Sequence, residues 1–282
     1  MKKYLVIGNP IGHSLSPKLH NHWIKKYNIE AIYEKKVLKK KDLKNIVEEI
    51  KQGKIQGANI TVPFKNEIYK ILMKDPESKI SLMVENTKSV NTIYKGESGK
   101  IVGDNTDVEG FIKSLRRINY KTEGKVAFVL GAGGVASSIL EALKILKIGF
   151  VVISNRTKQK AEEMRDKWST PGRSIEVVEW GENSNPHSPD LIINSTSLGL
   201  KEDDHIKLDF KKYKPKFFFK KRLFYDVIYN PPITNFLKEA KKFGNQIENG
   251  KMMFIYQAAD AFRVWHGIKP EINEEVINLL ND

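Results

Sequence analysis

The sequence predicts an α/β protein of two domains, built on parallel β-sheets. The chain has 282 residues, which is enough for about two domains of ordinary size. Short apolar runs rich in β-branched residues alternate with amphipathic segments of helical length, which is the pattern of βαβ units. One of these runs, at 125–130, leads directly into three glycines within four positions, as a tight strand-to-helix turn would.

The first part of the chain contains three predicted strands and two predicted helices. The strands are Tyr4–Gly8, Ala31–Val37 and Gly57–Ile60, and the helices are Pro17–Tyr27 and Leu43–Lys51. A third helix is predicted from Asn105 to about Ile118, because Thr106 and Glu109 have the spacing of a capping box. This helix leads into the second part of the chain.

Strand and helix patterns continue to alternate in the second part. After the strand at 125–131 come strands Phe150–Ser154, Ser174–Val178, Asp190–Asn194 and Leu223–Val227, with helices Val135–Lys147 and Thr157–Trp168. A polar loop is predicted at 182–189. The end of the chain is helical, with Met252–Trp265 separated from Glu271–Leu280 by a Gly-Ile-Lys-Pro sequence.

The composition excludes several classes of protein. The chain has no cysteine, so disulfides, thiolate chemistry and cysteine-based zinc sites are excluded. No stretch reaches the roughly 18 apolar residues of a membrane span. The N-terminal apolar run ends at Gly8, which is too short for a signal peptide. We therefore expect a cytoplasmic protein.

The net charge of +14 allows two interpretations. A basic surface can bind nucleic acid, or it can be a lysine-rich solvated exterior that also suits small anionic ligands. The densest basic stretch, 214–222, interleaves aromatic residues with charge, but it leads into the apolar strand at 223–227. We favour the solvated exterior and expect no nucleic-acid partner.

A dinucleotide fingerprint follows the first strand of the second part. It reads Gly131-Ala132-Gly133-Gly134-Val135-Ala136. Gly131 permits a tight turn, and Gly133 lets the backbone approach a pyrophosphate at the positive end of the next helix. An ordinary strand-to-helix turn rarely needs three glycines in four positions. The second domain is therefore predicted to be Rossmann-like and to bind a dinucleotide.

The next strand indicates which dinucleotide binds. An NAD site usually has an acidic residue about 20 positions further on, whereas no acid occurs between Lys147 and Lys160. The strand ends instead in Asn155-Arg156-Thr157. Arg156, with Lys160 about one helical turn further on, can bind a 2′-phosphate. Asn155 and Thr157 can also cap the following helix, which is compatible with this role. The predicted cofactor is NADP.

Polar clusters follow the predicted strands of the first part, where the carboxyl ends of the strands form the site of an α/β domain. The clusters are Asn9–Pro17, Asn59–Lys65, Val90–Thr92 and Gly103–Asp107. Their hydroxyls, amides, single lysine and carboxylate suit a small polyhydroxylated acid. Taken alone, Lys65 could be an ordinary lysine exposed to solvent, and Asp107 could be an acidic residue that is favourable in the first turn of a helix. No metal site is predicted, because His20 and His22 face different sides of a helix.

These motifs resemble those of the shikimate dehydrogenase family, and the match runs through nearly the whole chain. The matching blocks are Ser14 to Asn21, Asn59 to Lys65, Asn105 to Asp107, Asn155 to Thr157, Asn194 to Gly199 and Asp226 to Pro231. Met253 and Gln257 fall on the family's C-terminal helix, followed by Phe262 and Trp265. The resemblance implies reversible NADPH-dependent reduction of 3-dehydroshikimate to shikimate, in the biosynthesis of aromatic amino acids.

The resemblance also implies roles for individual residues. Lys65 and Asp107 would form the catalytic pair. The substrate-binding residues would be Ser14, Ser16, Thr61, Asn91, Tyr229 and Gln257. The cofactor-binding residues would be Gly131, Ala132, Gly133, Gly134, Val135, Ala136, Asn155, Arg156, Thr157, Lys160, Thr196, Ser197, Val227 and Gly250.

The domain organisation that the resemblance implies is discontinuous. Residues 1–107 and the C-terminal helices 249–282 would form the substrate domain, and 108–248 would be the inserted NADP-binding domain. A monomer or homodimer with a small-molecule substrate is expected. The sequence departs from the family at Met252, where glycine is frequent, and at Phe254, where leucine is usual. Both changes alter the expected shape of the nicotinamide pocket.

Three other functions compete with this one. The first is a quinate/shikimate dehydrogenase that uses NAD, against which Arg156 and the missing acid argue. The second is a non-catalytic NADPH-binding regulator, which should have lost Lys65 or Asp107, although both are present. The third is a nucleic-acid-binding protein, which is supported by the net charge alone.

Overall fold

The computed structural model describes residues 1–169, 174–181, 188–215 and 221–281. They form two compact units, one of Met1–Phe111 with Ile255–Asp282 and the other of Ile112–Phe254. The predicted polar loop at 182–189 lies mostly outside the described residues, as does the centre of the basic and aromatic stretch at 214–222. No helix of the described residues has the length and apolar character needed to cross a membrane.

The first unit alternates strands and helices from its first residues. In chain order its elements are β1 (Lys2–Gly8), α1 (Ser16–Lys26), β2 (Ala31–Val37), α2 (Leu43–Lys51), β3 (Gly57–Ile60), α3 (Lys65–Leu72), β4 (Ser78–Ile80), α4 (Leu82–Thr87), β5 (Thr92–Lys95), β6 (Ile101–Asp104) and the start of α5 (Asp107–Arg117). A short 3₁₀ turn at Lys40–Asp42 precedes α2.

The sheet of the first unit is mixed, with strand order β2-β1-β3-β5-β6-β4. Strand β1 pairs in parallel with β2 and β3, whereas β5 is antiparallel to both β3 and β6. The βαβ pattern predicts a parallel sheet, and the sheet of this unit is parallel only in part. A turn closed by a bond from the Gly96 amide to the Lys100 carbonyl joins β5 to β6, and so short a connection can join only antiparallel neighbours.

The second unit contains a parallel sheet, with strand order β12-β11-β10-β7-β8-β9. Its elements are β7 (Val126–Leu130), α6 (Gly134–Ile145), β8 (Phe150–Ser154), α7 (Lys158–Trp168), β9 (Ile175–Val178), β10 (Leu191–Asn194), a 3₁₀ turn (Phe210–Tyr213), β11 (Leu223–Asp226), α8 (Asn235–Lys242) and β12 (Gln246–Glu248). Strands β10 and β11 are buried along their whole length, as strands of a covered parallel sheet are.

The chain ends in α9 (Lys251–His266) and α10 (Glu274–Asn278). Helix α10 begins later than the predicted start at Glu271. The side chain of Asn273 caps it by accepting a hydrogen bond from the Val276 amide at 3.1 Å. The Glu271 amide donates to the hydroxyl of Tyr27 and lies outside the helix. Asparagine is a strong N-cap residue, so the helix starts where that cap is available.

Candidate active site

A buried ion pair lies in the first unit. The ammonium of Lys65 contacts Oδ2 of Asp107 at 2.5 Å, and the two side chains are 11% and 8% exposed. Lys65 is the first residue of α3 and Asp107 the first residue of α5. Burying two charges costs free energy, which their mutual attraction offsets at least in part. Each charge here meets its opposite, and the ammonium keeps two further N–H donors for an oxygen brought beside it.

Asn91 fixes the carboxylate of this pair. Its Nδ2 donates to Oδ1 of Asp107 at 2.9 Å, so both carboxylate oxygens are engaged. The backbone amide of Thr106 and the hydroxyl of Thr92 both donate to Oδ1 of Asn91, at 2.8 Å and 3.0 Å, and together they set the orientation of the asparagine amide. Oε1 of Gln257 lies 3.5 Å from Asn91 Nδ2 and 3.5 Å from Thr106 Oγ1. Helix α9 therefore reaches the surroundings of the ion pair.

The remaining predicted substrate residues of the first unit follow β1 and β3, which are neighbours in the sheet. Ser14 and Ser16 are buried, and their hydroxyl oxygens are 3.1 Å apart. Thr61 directly follows β3, and its backbone amide donates to the Ile7 carbonyl at the end of β1. The carboxyl ends of parallel neighbours meet at one edge of a sheet. The two serines and Thr61 therefore follow strands that end at that edge.

Tyr229, the other predicted substrate residue, belongs to the second unit. Its ring stacks on Phe254, with centroids 4.2 Å apart and planes inclined by 22°. Phe254 is thus packed beside a predicted site residue, and Met252 is buried in the first turn of α9. The two departures from the family pattern, Met252 and Phe254, can therefore alter the packing of Tyr229 and of the first turn of α9.

The glycine turn of the second unit has the geometry of a dinucleotide cradle. Gly131 has φ +110°, and a Cβ there would lie 2.7 Å from Oγ of Ser195. Gly133 is the N-cap of α6, and a Cβ on it would meet no atom within 4 Å. The helix therefore begins with free space beside its first amides, which are the groups that bind a pyrophosphate. The turn fits the dinucleotide that the sequence predicts.

The end of β8 is joined to this turn. Asn155 accepts a hydrogen bond from the Ala132 amide at 3.1 Å, and its Nδ2 donates to the Thr157 carbonyl at 2.8 Å. Arg156 and Lys160 are exposed and, among the residues that the structure describes, have no carboxylate partner. Both cations are therefore available to a phosphate.

Thr196 and Val227, which are also predicted to bind the cofactor, are held in place by a network around the buried carboxylate of Asp226. Asp226 accepts from Asn194 Nδ2 at 3.0 Å and from the Thr234 hydroxyl at 2.6 Å. Burial raises the pKa of Asp226 to about 6. Oδ1 of Asn194 accepts from both the amide and the hydroxyl of Thr196, and the Asn194 carbonyl accepts from the Val227 amide.

Ser197 and Gly250 complete the predicted cofactor set. Ser197 is exposed, next to Thr196. Gly250 packs so closely on Val227 that a Cβ would lie 2.0 Å from its carbonyl oxygen. Sequence reasoning assigned no role to Asp226, although its block was recognised. A lone acid that ends an apolar strand is the signal that could have identified it as a loop organiser.

Three comparisons place the chain among known proteins. Residues 6–93 match the family model of the shikimate dehydrogenase substrate binding domain. A relative named shikimate dehydrogenase (NADP(+)), from Pelagibacter ubique, is 51% identical over 280 residues, which cover 99% of both chains. A crystal structure of a shikimate dehydrogenase in complex with NADP+ superposes with a TM-score of 0.87 at 32% identity, over 99% of this chain and 94% of that one.

A second solved structure carries both ligands. It is shikimate 5-dehydrogenase from Thermus thermophilus in complex with NADP(H) and shikimate. It is 28% identical, with a TM-score of 0.81 over 100% of this chain and 97% of that chain.

Proposed function

The chain belongs to the shikimate dehydrogenase family, and we propose that it catalyses the reversible, NADPH-dependent reduction of 3-dehydroshikimate to shikimate in aromatic amino-acid (chorismate) biosynthesis. The observation that carries this proposal is the buried contact between Lys65 and Asp107. A fixed ammonium is a proton donor for an oxygen that gains negative charge. A protein that only bound NADPH would have no use for a pair whose burial costs free energy.

Each of two domains takes one reactant in this proposal. The substrate domain comprises residues 1–107 with 249–282, and the NADP-binding domain comprises 108–248. The contacts of Gln257 with Asn91 and Thr106 support the inclusion of the C-terminal helix in the substrate domain. The cradle at Gly131 and Gly133 supports the assignment of the second domain.

The substrate is held by its carboxylate and its ring hydroxyls. Ser14 and Ser16 stand 3.1 Å apart, so both hydroxyls can donate to one carboxylate. Thr61, Asn91 and Gln257 offer further donors and acceptors to ring hydroxyls, and Tyr229 offers a phenolic hydroxyl. A site that pairs every substrate oxygen rejects analogues that lack one, because a buried polar group would then lose its partner.

The proton step is carried out by Lys65. NADPH, when bound, supplies the hydride for the carbonyl carbon of 3-dehydroshikimate. The carbonyl oxygen gains negative charge, and the Lys65 ammonium stabilises that charge and donates a proton to it. Asp107 holds the ammonium in position before the proton moves. In the oxidation of shikimate, the neutral amine of Lys65 accepts the hydroxyl proton.

NADP is held by the glycine turn and by the loops after β8, β10 and β11. The amides at the start of α6 would hold the pyrophosphate, since the backbone is open at Gly133. Arg156 and Lys160 would bind the 2′-phosphate. The other cofactor residues are Gly131, Ala132, Gly134, Val135, Ala136, Asn155, Thr157, Thr196, Ser197, Val227 and Gly250.

The enzyme acts in the cytoplasm, as a monomer or a homodimer, with small molecules as its partners. The net positive charge suits two anionic reactants and needs no nucleic acid to explain it.

Absorbance at 340 nm tests the function directly. Purified protein is offered shikimate or quinate, each with NADP or NAD, and Lys65→Ala serves as the inactive control. We expect turnover mainly with shikimate and NADP. Comparable turnover of quinate with NAD would favour the quinate/shikimate dehydrogenase. NADPH binding without turnover of either acid would identify a regulator and refute the proposal.

A further inference from the structure

We propose that Tyr33 is a positioning residue for the reaction, which orients Asp107 through a chain of buried polar side chains. The proposal rests on the catalytic role proposed for Asp107. It concerns residues to which neither the substrate site nor the NADP site assigns a task. Among them are His20 and Asn21, the second half of the block that begins at Ser14.

The chain of hydrogen bonds begins at the Tyr33 hydroxyl. It donates to Oδ1 of Asn59 at 2.7 Å. Nδ2 of Asn59 donates to the hydroxyl of Thr92 at 3.0 Å, and that hydroxyl donates to Oδ1 of Asn91 at 3.0 Å. Nδ2 of Asn91 then donates to Asp107 at 2.9 Å. Each group accepts from the preceding one and donates to the next, so the chain has one direction.

The Tyr33 hydroxyl fixes the first side chain of this series, Asn59, through its oxygen. An asparagine amide can rotate by 180° and exchange its oxygen and nitrogen, and hydrogen-bond partners decide which orientation it takes. With the hydroxyl present, Oδ1 of Asn59 faces Tyr33 and Nδ2 faces Thr92. Without it, Oδ1 of Asn59 loses this donor, and the amide is held by Nδ2 alone, which donates to Thr92 at 3.0 Å and to the Asn91 carbonyl at 3.2 Å. Asn59 can then shift, and the Thr92 hydroxyl that donates to Asn91 shifts with it.

The groups of this chain are shielded from water, which could otherwise replace a lost partner. Tyr33 is 1% exposed, Asn59 7%, Thr92 0% and Asn91 2%. Asn59 and Thr92 also lie opposite each other in the pairing of β3 with β5. In such surroundings a missing hydrogen bond is not compensated by solvent, so the change is passed to the neighbouring group.

Tyr33 is itself fixed from α1. Asn21 binds its backbone twice, donating to the Tyr33 carbonyl at 2.9 Å and accepting from the Tyr33 amide at 2.9 Å. The ring of His20 stacks on the Tyr33 ring, with centroids 4.2 Å apart and an angle of 2°. Tyr33 lies on β2, and β1 separates β2 from β3. Its long side chain therefore reaches across one strand to Asn59, and the contacts with α1 hold it in that direction.

Tyr33→Phe tests the proposal, because it removes the hydroxyl and leaves the ring stack. We expect kcat for shikimate oxidation to fall about fivefold to thirtyfold, the effect of one buried hydrogen bond. KM for shikimate and for NADP should stay within about twofold. Tyr27→Phe is the matched control, since the Tyr27 hydroxyl also accepts a hydrogen bond in this unit but has no link to Asn59. Its kcat should be unchanged.

A double-mutant cycle separates positioning from loss of stability. In an Asp107→Ala background, Tyr33→Phe should change the residual kcat by less than about twofold, because the series of hydrogen bonds no longer leads to a carboxylate that it could orient. Full additivity would overturn the proposal, and so would an unchanged kcat in Tyr33→Phe alone. If Tyr33→Phe does not fold, Asn59→Ala breaks the chain at its next member and takes its place in the cycle.

A crystal structure of the Tyr33→Phe variant gives a readout that does not require activity. The contact between Asn91 Nδ2 and Asp107 should lengthen beyond hydrogen-bond distance, or Asn91 should adopt a second conformer. An unaltered contact would overturn the positioning role even if the enzyme is active. Absence of shikimate oxidation by the unmodified protein would refute the proposed function instead, so the two failures can be told apart.

Discussion

The side chain of Asn155 accepts a hydrogen bond from the backbone amide of Ala132 at 3.1 Å. This contact ties the end of β8 to the middle of the glycine turn after β7. The two segments that should bind the pyrophosphate and the 2′-phosphate are thus fixed to each other inside one unit. Asn155 does this with its oxygen, while its nitrogen holds the Thr157 carbonyl.

Two glycines of this turn, Gly131 and Gly133, predict different outcomes when each is replaced by alanine. Gly133 has open space around a would-be Cβ and an extended backbone, so Gly133→Ala should leave the thermal unfolding temperature nearly unchanged. The added methyl would occupy the place of the pyrophosphate, so KM for NADP should rise about tenfold or more. Gly131→Ala should instead lower stability by at least about 1 kcal/mol, because φ is +110° and Ser195 is 2.7 Å away.

Thermal unfolding and steady-state kinetics of both variants check this contrast. A normal KM for NADP in Gly133→Ala would show that the pyrophosphate does not approach that position. Equal loss of stability in the two variants would contradict the difference in space around them.

Removal of the Lys65 ammonium should affect the chemical step. Lys65→Ala should lower kcat by about 10²–10⁴, while KM for shikimate changes little, because the other substrate oxygens keep their partners. Lys70→Ala is the matched control, since Lys70 lies on the same helix but is 65% exposed. A kcat near that of the unmodified protein in Lys65→Ala would remove Lys65 from the mechanism. An equal fall of kcat in Lys70→Ala would mean that disturbance of helix α3, and not loss of the Lys65 ammonium, lowers the activity.

The strands and helices with the clearest periodicity were predictable from the sequence. The predicted strands Ala31–Val37 and Gly57–Ile60 and the predicted helix Leu43–Lys51 have the same bounds in the structure. Strand β5 and helix α4 were not predicted. Helix α4 spans six residues, which is fewer than two helical turns and too few to display a period, and β5 is a strand because it pairs with β3 and β6. Tertiary pairing, which no local pattern encodes, decides their structure.

The candidate site could be predicted as a set of residues but not as a network. The motifs place Lys65 and Asp107 after strands, and the structure brings them together. No local signal shows that Asn91 binds the carboxylate of Asp107, because the two are 16 positions apart and meet only through the sheet. Tyr33 carries no signal beyond its burial in β2, since its hydroxyl acts across a neighbouring strand.

His20 predicts a specific dependence of stability on pH. Its ring is packed by Trp23, Tyr33, Phe262 and Trp265, and neither nitrogen has a partner among the described residues. Burial, and secondarily the nearby His266, lowers the pKa of His20 to about 3. Between this value and the ordinary value of 6.5, the unfolded chain binds a proton that the folded protein does not. The contribution to stability is therefore complete above about pH 6.5 and is lost as the pH falls toward 3.

Urea unfolding at pH 6.5 and 4.5 measures this effect. From the higher to the lower pH, the free energy of unfolding should fall by about 2–3 kcal/mol more in the unmodified protein than in His20→Phe, since one pH unit is worth about 1.4 kcal/mol per proton. His266, whose pKa burial also lowers, to about 4, is present in both proteins. His205→Gln, at an exposed position, should keep the unmodified slope. An equal fall of the free energy of unfolding in the unmodified protein and in His20→Phe would contradict the prediction.

The cofactor preference should depend on Arg156. A charge-assisted hydrogen bond to a phosphate contributes about 1.5–3 kcal/mol, and solvent screening at this exposed position favours the lower end. With weak assistance from Lys160, kcat/KM should favour NADP over NAD by about 10²-fold or more, because 1.4 kcal/mol is a factor of ten. Arg156→Ala should lose most of this preference through a higher KM for NADP, since the 2′-phosphate takes no part in hydride transfer. Lys158→Ala is the control, because Lys158 is already paired with Glu179 at 2.7 Å, and it should keep the preference. The preference should also weaken at high salt, and similar kcat/KM values for NAD and NADP in the unmodified protein would refute the assignment.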